Sequence, residues 1–123
     1  MAFDELYDEY EERLTKALSM GGPDRLARRK NTGVLNARER IDYLVDKKTW
    51  AESGLFTLSH LPEDRESTPG DGKITGYGAI NGREAVIVSN DFTVKGASSS
   101  VINMKRISQM RRTALERGIP MVF

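Results

Sequence analysis

Two strand-like runs meet at Asn81-Gly82. Both residues of such a pair accept positive backbone dihedrals, and a two-residue type I′ turn needs them at both central positions. The dipeptide therefore commits the stretch from Lys73 to Ser89 to a tight β-hairpin. The first strand is light, with Gly76 and Gly78, whereas the second, Ala85-Val86-Ile87-Val88, is continuously apolar. A run of that kind is the pattern of a strand buried on both faces, so something must cover each side of the sheet.

The residues after the hairpin can supply that cover. A loop of small and polar residues leads from Asn90 to Ser100, and a helix is expected from about Val101 to Arg117. Val101, Met104, Ile107, Ala114 and Leu115 would line its inner face. Lys105, Arg106, Arg111 and Arg112 would lie largely opposite, as a solvated face or a partner contact. Gly118 supplies the C-terminal stop and Pro120 reinforces it. The last residues, Ile119-Pro120-Met121-Val122-Phe123, read as an apolar strand. Strand, helix and strand make one right-handed crossover of a parallel sheet, and such sheets bind ligands beyond the carboxyl ends of their strands. Half of the expected site would then have to come from another polypeptide or segment. The run 85–88 and the strand 119–123 would leave edges or faces uncovered, so an oligomer or a poorly soluble monomer is expected without a partner.

Ahead of the hairpin the chain reads as helical. Phe3, Leu6, Tyr7, Tyr10, Leu14, Ala17 and Leu18 recur at helical spacing over residues 3 to 19, and acidic residues crowd the positive end of that helix. Met20-Gly21-Gly22-Pro23 ends it. Asp24 to Lys30 is a short helix or an arm. Asn36 and Glu39 form a capping box for a further helix, whose buried stripe would be Ala37, Ile41, Leu44 and Val45 and whose end Lys47, Lys48 and Thr49 mark. Leu55 to Leu58 is a short strand or an extended segment, and residues 59 to 72 are a loop rich in breakers. The expected organisation is a helical arm over 1–48 and a β-hairpin plus β-α-β core over 49–123, together a single portion of an α/β domain.

Composition closes off several function classes. The 123 residues fit one domain at most, and a formal net charge of +1 gives no overall field toward nucleic acid or a membrane surface. There is no cysteine, hence no disulfide framework, and the single histidine, His60, argues against a metal centre built on imidazoles. No apolar run is long enough to span a bilayer. The N-terminus is acidic where a signal peptide is basic, so a cytoplasmic protein is expected.

The residues that could carry chemistry lie between Val94 and Val101. Gly96 and Ala97 let a backbone approach a ligand, Lys95 adds positive charge, and Ser98, Ser99 and Ser100 stand where a helix begins. Free amides at such a place favour an anion or a polarised carbonyl oxygen; equally, the serines simply cap the helix and the glycine makes a turn. None of these serines has a sequence-local base, which leaves a hydrolase triad unsupported. Asp91 reads as structural, holding the loop, and His60 as a surface residue. Arg25, Arg28, Arg29, Lys30, Arg38 and Arg40 concentrate in one stretch. Either they meet the phosphates of a nucleotide-like cofactor, with Arg38 and Arg40 the contacts singled out, or they pair with acidic groups of the first helix or a partner.

Three motifs in order carry a resemblance. Ala37-Arg38-Glu39-Arg40-Ile41-Asp42-Tyr43-Leu44-Val45-Asp46, then Asp71 to Arg83, then Asn90-Asp91-Phe92-Thr93-Val94-Lys95-Gly96-Ala97-Ser98 resemble landmarks of the carboxyltransferase (beta) subunits of biotin-dependent acyl-CoA carboxylases, of the propionyl-CoA carboxylase type. Gly118 to Phe123 is similar to the strand that leads into that family's active-site loop. The resemblance implies an incomplete crotonase-like (ClpP/crotonase) fold: N-terminal helices, a β-hairpin, then a β-α-β unit. It implies transfer of a carboxyl group between carboxybiotin and the α carbon of an acyl-CoA, with Val94, Lys95, Gly96, Ala97 and Ser98 as the coenzyme A-binding or oxyanion loop. Biotin would arrive on a carrier protein, coenzyme A as the thioester substrate, and no metal would be held. The remaining carboxyltransferase segment or subunit would be a further partner, in a hetero- or homo-oligomer that binds no nucleic acid. No catalytic side chain is assigned within this chain, and no activity is expected of it alone. The family's loop has two glycines; here the second position is Ala97. The alternatives are a non-catalytic assembly or regulatory module that retains the scaffold, and a divergent acyl-CoA decarboxylase component.

Overall fold

The computed structural model describes residues 2–123. Helices α1 (Ala2–Leu18), α2 (Pro23–Asn31) and α3 (Ala37–Leu44) precede strands β1 (Ala51–Ser53), β2 (Lys73–Ile80) and β3 (Arg83–Asn90); α4 (Val101–Arg117) and β4 (Met121–Val122) come after them. Short 3₁₀ turns at Pro62–Ser67 and Pro69–Gly72 break up the long loop. The sheet runs in the order β1-β2-β3-β4. Its first three strands are antiparallel, and β4 lies parallel to β3 through Val86↔Met121 and Ile87↔Val122.

The hairpin forms where the dipeptide places it. Ile80 pairs with Arg83, and Asn81 and Gly82 take φ of 51° and 79°, as a type I′ turn requires. Asp46 fixes the turn from outside: its carboxylate accepts from the Asn81 amide at 3.0 Å and the Gly82 amide at 2.7 Å.

Alternation along β3 then builds two cores. Ala85 and Ile87 point to one face, where Met20, Ala37, Ile41 and Ile74 join them; Val86 and Val88 point to the other, against Ile107, Met110 and Ala114 of α4. Ala85 to Val88 are between 0% and 3% exposed, so this strand is buried on both faces as expected. At ~1.5–3 kcal/mol per fully buried aliphatic side chain, β3 is the principal apolar anchor of the fold. The capping box at α3 is present, with the Asn36 side chain accepting from the Glu39 amide and Glu39 returning to the Asn36 amide.

Three expectations need correction. The strand preceding the long loop is Ala51–Ser53, not Leu55 to Leu58: the Ser53 carbonyl accepts from Thr75 and Arg106, and Gly54 at φ 81° turns the chain away from the sheet. The inner face of α4 is Asn103, Arg106, Ile107, Met110 and Ala114, while Val101, Met104 and Leu115 are exposed; polar residues hold buried positions because backbone carbonyls receive their donors. In α3 only Ala37 and Ile41 are buried; Val45 is half-buried against the core and Leu44 is exposed. In α1 the apolar stripe exists, yet Phe3, Leu6, Tyr7 and Tyr10 are all at least half exposed and only Ala17 is buried. Tyr10 meets Phe56 edge-on, with ring centroids 5.9 Å apart. Asp24 to Lys30 falls within the helix α2.

Candidate functional site

β3 ends at Asn90, and the next residues form a turn with an unusual backbone. Asp91 is buried; its carboxylate accepts from the Thr93 amide at 2.9 Å and its hydroxyl at 2.5 Å, and its own amide donates to Gly72 O. Its expected role as the residue that holds the loop is what the geometry gives. Beyond the fully buried Val94, Lys95, Gly96 and Ala97 all take left-handed conformations, with φ of 50°, 59° and 56°. The Ala97 amide closes back on Val94 O at 2.9 Å and that of Ser98 on Lys95 O at 3.2 Å. The Lys95 and Gly96 amides between them have no hydrogen-bond acceptor among the described residues, and both residues are exposed. A Cβ built on Gly96 would meet nothing within 4 Å, so the turn is open to solvent on that side. Ser100 caps α4 reciprocally with Asn103, while Ser98 and Ser99 are exposed. The capping role of Ser100 and an open amide turn therefore coexist.

The turn is held from below by a buried polar layer. Lys73 Nζ donates to Ala97 O at 2.7 Å and to Asn90 Oδ1 at 2.6 Å. Burial lowers the Lys73 pKa, partly opposed by the Asp71 carboxylate. Arg106 Nη1 donates to Gly70 O and Lys73 O, and Nη2 to Ser53 O and Thr75 Oγ1, over 2.8–3.1 Å. Burial also lowers its pKa, with Glu52 and Asp71 acting the other way. The Arg106 Nε is buried without a hydrogen-bond partner among the described residues, but four hydrogen bonds through the two Nη atoms, to three carbonyls and one hydroxyl, are each charge-assisted and offset the burial.

The basic stretch divides. Arg38 forks onto Glu52 at 2.7 and 3.1 Å: its fork is occupied by a carboxylate. Arg40 is half-buried and lines a cavity of about 230 Å³ with Ile41, Leu44, Asn90, Val122 and Phe123, at the carboxyl ends of the parallel β3 and β4. Arg25 and Arg29 reach the turn itself. Arg25 Nη1 donates to Thr93 O at 2.9 Å, and the Arg29 guanidinium lies 5.3 Å from the centre of the Phe92 ring. Gly21 donates to Thr93 Oγ1 at 2.9 Å, and a Cβ at Gly21 would fall 2.0 Å from Thr93 O. From sequence, Gly21 reads only as a helix breaker and Arg106 as part of a solvated face or a partner contact. The one signal for Arg106 was its place three residues after Asn103, on the stripe that continues through Met110.

The carboxyl transferase domain model matches residues 28–123. The chain belongs to the carboxyl transferase family. It is 35% identical over 125 residues to the propionyl-CoA carboxylase carboxyltransferase subunit of Haloferax mediterranei, covering 99% of this chain and 24% of that one. Identity is 34% over 120 residues to the human mitochondrial propionyl-CoA carboxylase beta chain (94% and 22% covered) and 32% over 114 residues to a Veillonella parvula methylmalonyl-CoA decarboxylase subunit alpha (90% and 22%). The chain thus spans about a quarter of the length of the curated relatives it matches. Among solved structures, the transcarboxylase 12S hexamer with methylmalonyl-coenzyme A bound superposes with a TM-score of 0.87 at 28% identity, over 96% of this chain and 24% of that one. A single-chain, multi-domain long-chain acyl-CoA carboxylase superposes at 0.85 and 30% identity, over 94% and 13%. The fold is a fragment of the crotonase-like carboxyltransferase fold. No helix among the described residues is long and apolar enough to cross a membrane.

Proposed function

We propose that this chain forms the coenzyme A side of an acyl-CoA carboxyltransferase, with the Val94–Ser98 turn as the ligand loop. The observation that carries the reading is that the amides of two exposed residues, Lys95 and Gly96, find no acceptor among the described residues, in a turn of three successive left-handed residues. Two preorganised N–H donors suit the oxygen of a thioester or its enolate, and they need no nucleophilic side chain. The Lys95 ammonium is drawn between Asp64 and Asp71, 3.7 Å from each, so Lys95 serves the loop through its amide rather than its charge. Arg40, beside the cavity at the strand ends, is the stronger phosphate contact of the two arginines, since Arg38 is forked to Glu52.

Biotin would supply the carboxyl group of the transfer. Its ureido ring would need donors on a second wall, beyond the Lys95 and Gly96 amides assigned to the acyl-CoA. The remaining carboxyltransferase segment or subunit would receive it from a carrier protein, in a cytoplasmic oligomer. The family's complete members, of which this chain spans a quarter, support that division. The match to a methylmalonyl-CoA decarboxylase subunit supports a second reading, the reverse reaction on the same ligand loop.

The test is Gly96→Val, examined by calorimetry with a short acyl-CoA on the chain assembled with the rest of the carboxyltransferase. A β-branched side chain at φ 59° is strained and fills the open side of the turn. Acyl-CoA binding should be abolished while the complex persists. Unchanged affinity refutes the assignment of the loop.

A further inference from the structure

A second left-handed turn lies against the candidate site from beneath. Gly70, Asp71 and Gly72 have φ of 68°, 49° and 81°, mirroring Lys95, Gly96 and Ala97. A Cβ on Gly72 would stand 3.2 Å from Val94 O and 3.4 Å from the Ala97 Cα. Asp71 and Ala97, both buried, hold side chains in a region that L-residues rarely adopt. Such backbone persists only where its surroundings over-determine it. The bonds that do so converge on Asp71. Its Oδ2 accepts the Ser100 hydroxyl. Asn103 Nδ2 donates to Asp71 O at 2.9 Å and to Ser98 O at 2.8 Å, so one amide group ties both turns together. The other carboxylate oxygen, buried and without a hydrogen-bond partner among the described residues, lies 3.7 Å from the Lys95 ammonium.

We propose that Asp71 is the positioning residue of the Val94–Ser98 turn, an inference that rests on the reading of that turn as the coenzyme A loop. Oδ2 fixes the start of α4 through Ser100 and thereby the exit of the turn. The charge on Oδ1 draws the Lys95 side chain back toward the lower turn. Between these two anchors the backbone is kept left-handed, and that shape leaves the Lys95 and Gly96 amides free for a ligand. Asp71 itself touches no substrate.

Positive φ has a signature that general destabilisation does not produce: a strong intraresidue Hα–HN nuclear Overhauser effect. It should be present at Lys95 and Ala97 in the isotopically labelled chain. In Asp71→Ala and in Ser100→Ala it should weaken at both residues, while cross-strand contacts between Thr75 and Val88 stay as they are. Asp71→Asn, which keeps an acceptor for Ser100, should restore the signature at Ala97. If Asp71→Ala fails to fold, Ser100→Ala decides the matter. Persistence of the full signature in the alanine variant that folds overturns the proposal. Coenzyme A affinity of the assembled protein provides the separate arm, with at least a tenfold loss expected in the alanine variants. A lost signature with undiminished affinity upholds Asp71 as the anchor of the turn and instead sinks the coenzyme A reading.

Discussion

Arg106 donates through Nη2 to Thr75 Oγ1 at 2.8 Å, joining α4 to the middle of the sheet. Thr75 passes the contact on, its hydroxyl donating to Ser53 O at 2.8 Å. One buried guanidinium therefore registers the edge strand β1, the central strand β2 and the turn at Gly70 against the same helix. Arg106→Ala should destabilise the chain by about 3 kcal/mol, because several buried acceptors lose their donors at once. Arg106→Lys should recover less than half of that, since an ammonium cannot span the same acceptors. Urea unfolding monitored by circular dichroism measures both.

Glycine replacement distinguishes two physical reasons for glycine. Gly21→Ala drives a methyl group into Thr93 O, with the added Cβ at 2.0 Å, so the hinge between α1 and α2 must move off the loop. Gly96→Ala meets nothing within 4 Å and is penalised only by its φ of 59°, by about 1 kcal/mol. Thermal unfolding should rank Gly21→Ala as clearly the more damaging. The opposite order would mean that the contact of Gly21 with Thr93 contributes little.

Ala97→Gly tests the strain in the turn directly. It removes a side chain from a left-handed position at φ 56°, a gain of about 1–2 kcal/mol, offset by about 0.5–1 kcal/mol of extra chain entropy in the unfolded state. The net effect should be a small stabilisation, seen as an unchanged or slightly raised melting temperature. A marked loss of stability would show that the Ala97 methyl is a packing contact.

Lys73 makes stability depend on alkaline pH. Burial lowers its pKa in the fold below the ordinary lysine value of 10.5. Between those two values the unfolded chain holds more protons than the folded one, so this residue makes stability rise with pH across that window. Lys73→Met should remove that rise. Unfolding measured at several pH values up to 10.5, variant against wild type, tests the sign; a fall in wild-type stability attributable to Lys73 would contradict it.

How much of this was legible in the sequence depended on whether a residue's environment is local. Asn81-Gly82, the Asn36–Glu39 box and Gly118 are decided by the backbone within a few residues, and each was found where expected. The apolar run 85–88 was legible because burial on both faces leaves no polar position. The inner face of α4 was misread, since Asn103 and Arg106 are buried only by virtue of carbonyls from Ser53, Gly70, Asp71, Lys73 and Ser98, up to 53 residues away in sequence. For α1 the periodicity was sound, but periodicity does not say what lies opposite; the Phe3–Tyr10 face is exposed. In the candidate site, Gly96 announced a turn, whereas left-handed Lys95 and Ala97 had no local signal, being imposed by the turn at Asp71 packed beneath them.

The ligand loop itself is reached most directly by magnetic resonance. Selective ¹⁵N labelling of lysine and glycine, in the chain assembled with the remaining carboxyltransferase segment, lets the Lys95 and Gly96 amides be followed as an acyl-CoA is added to saturation. Those two amide protons should move downfield, by more than any other lysine or glycine amide, as each gains an acceptor. Saturation of the assembly with both signals unmoved would contradict the account.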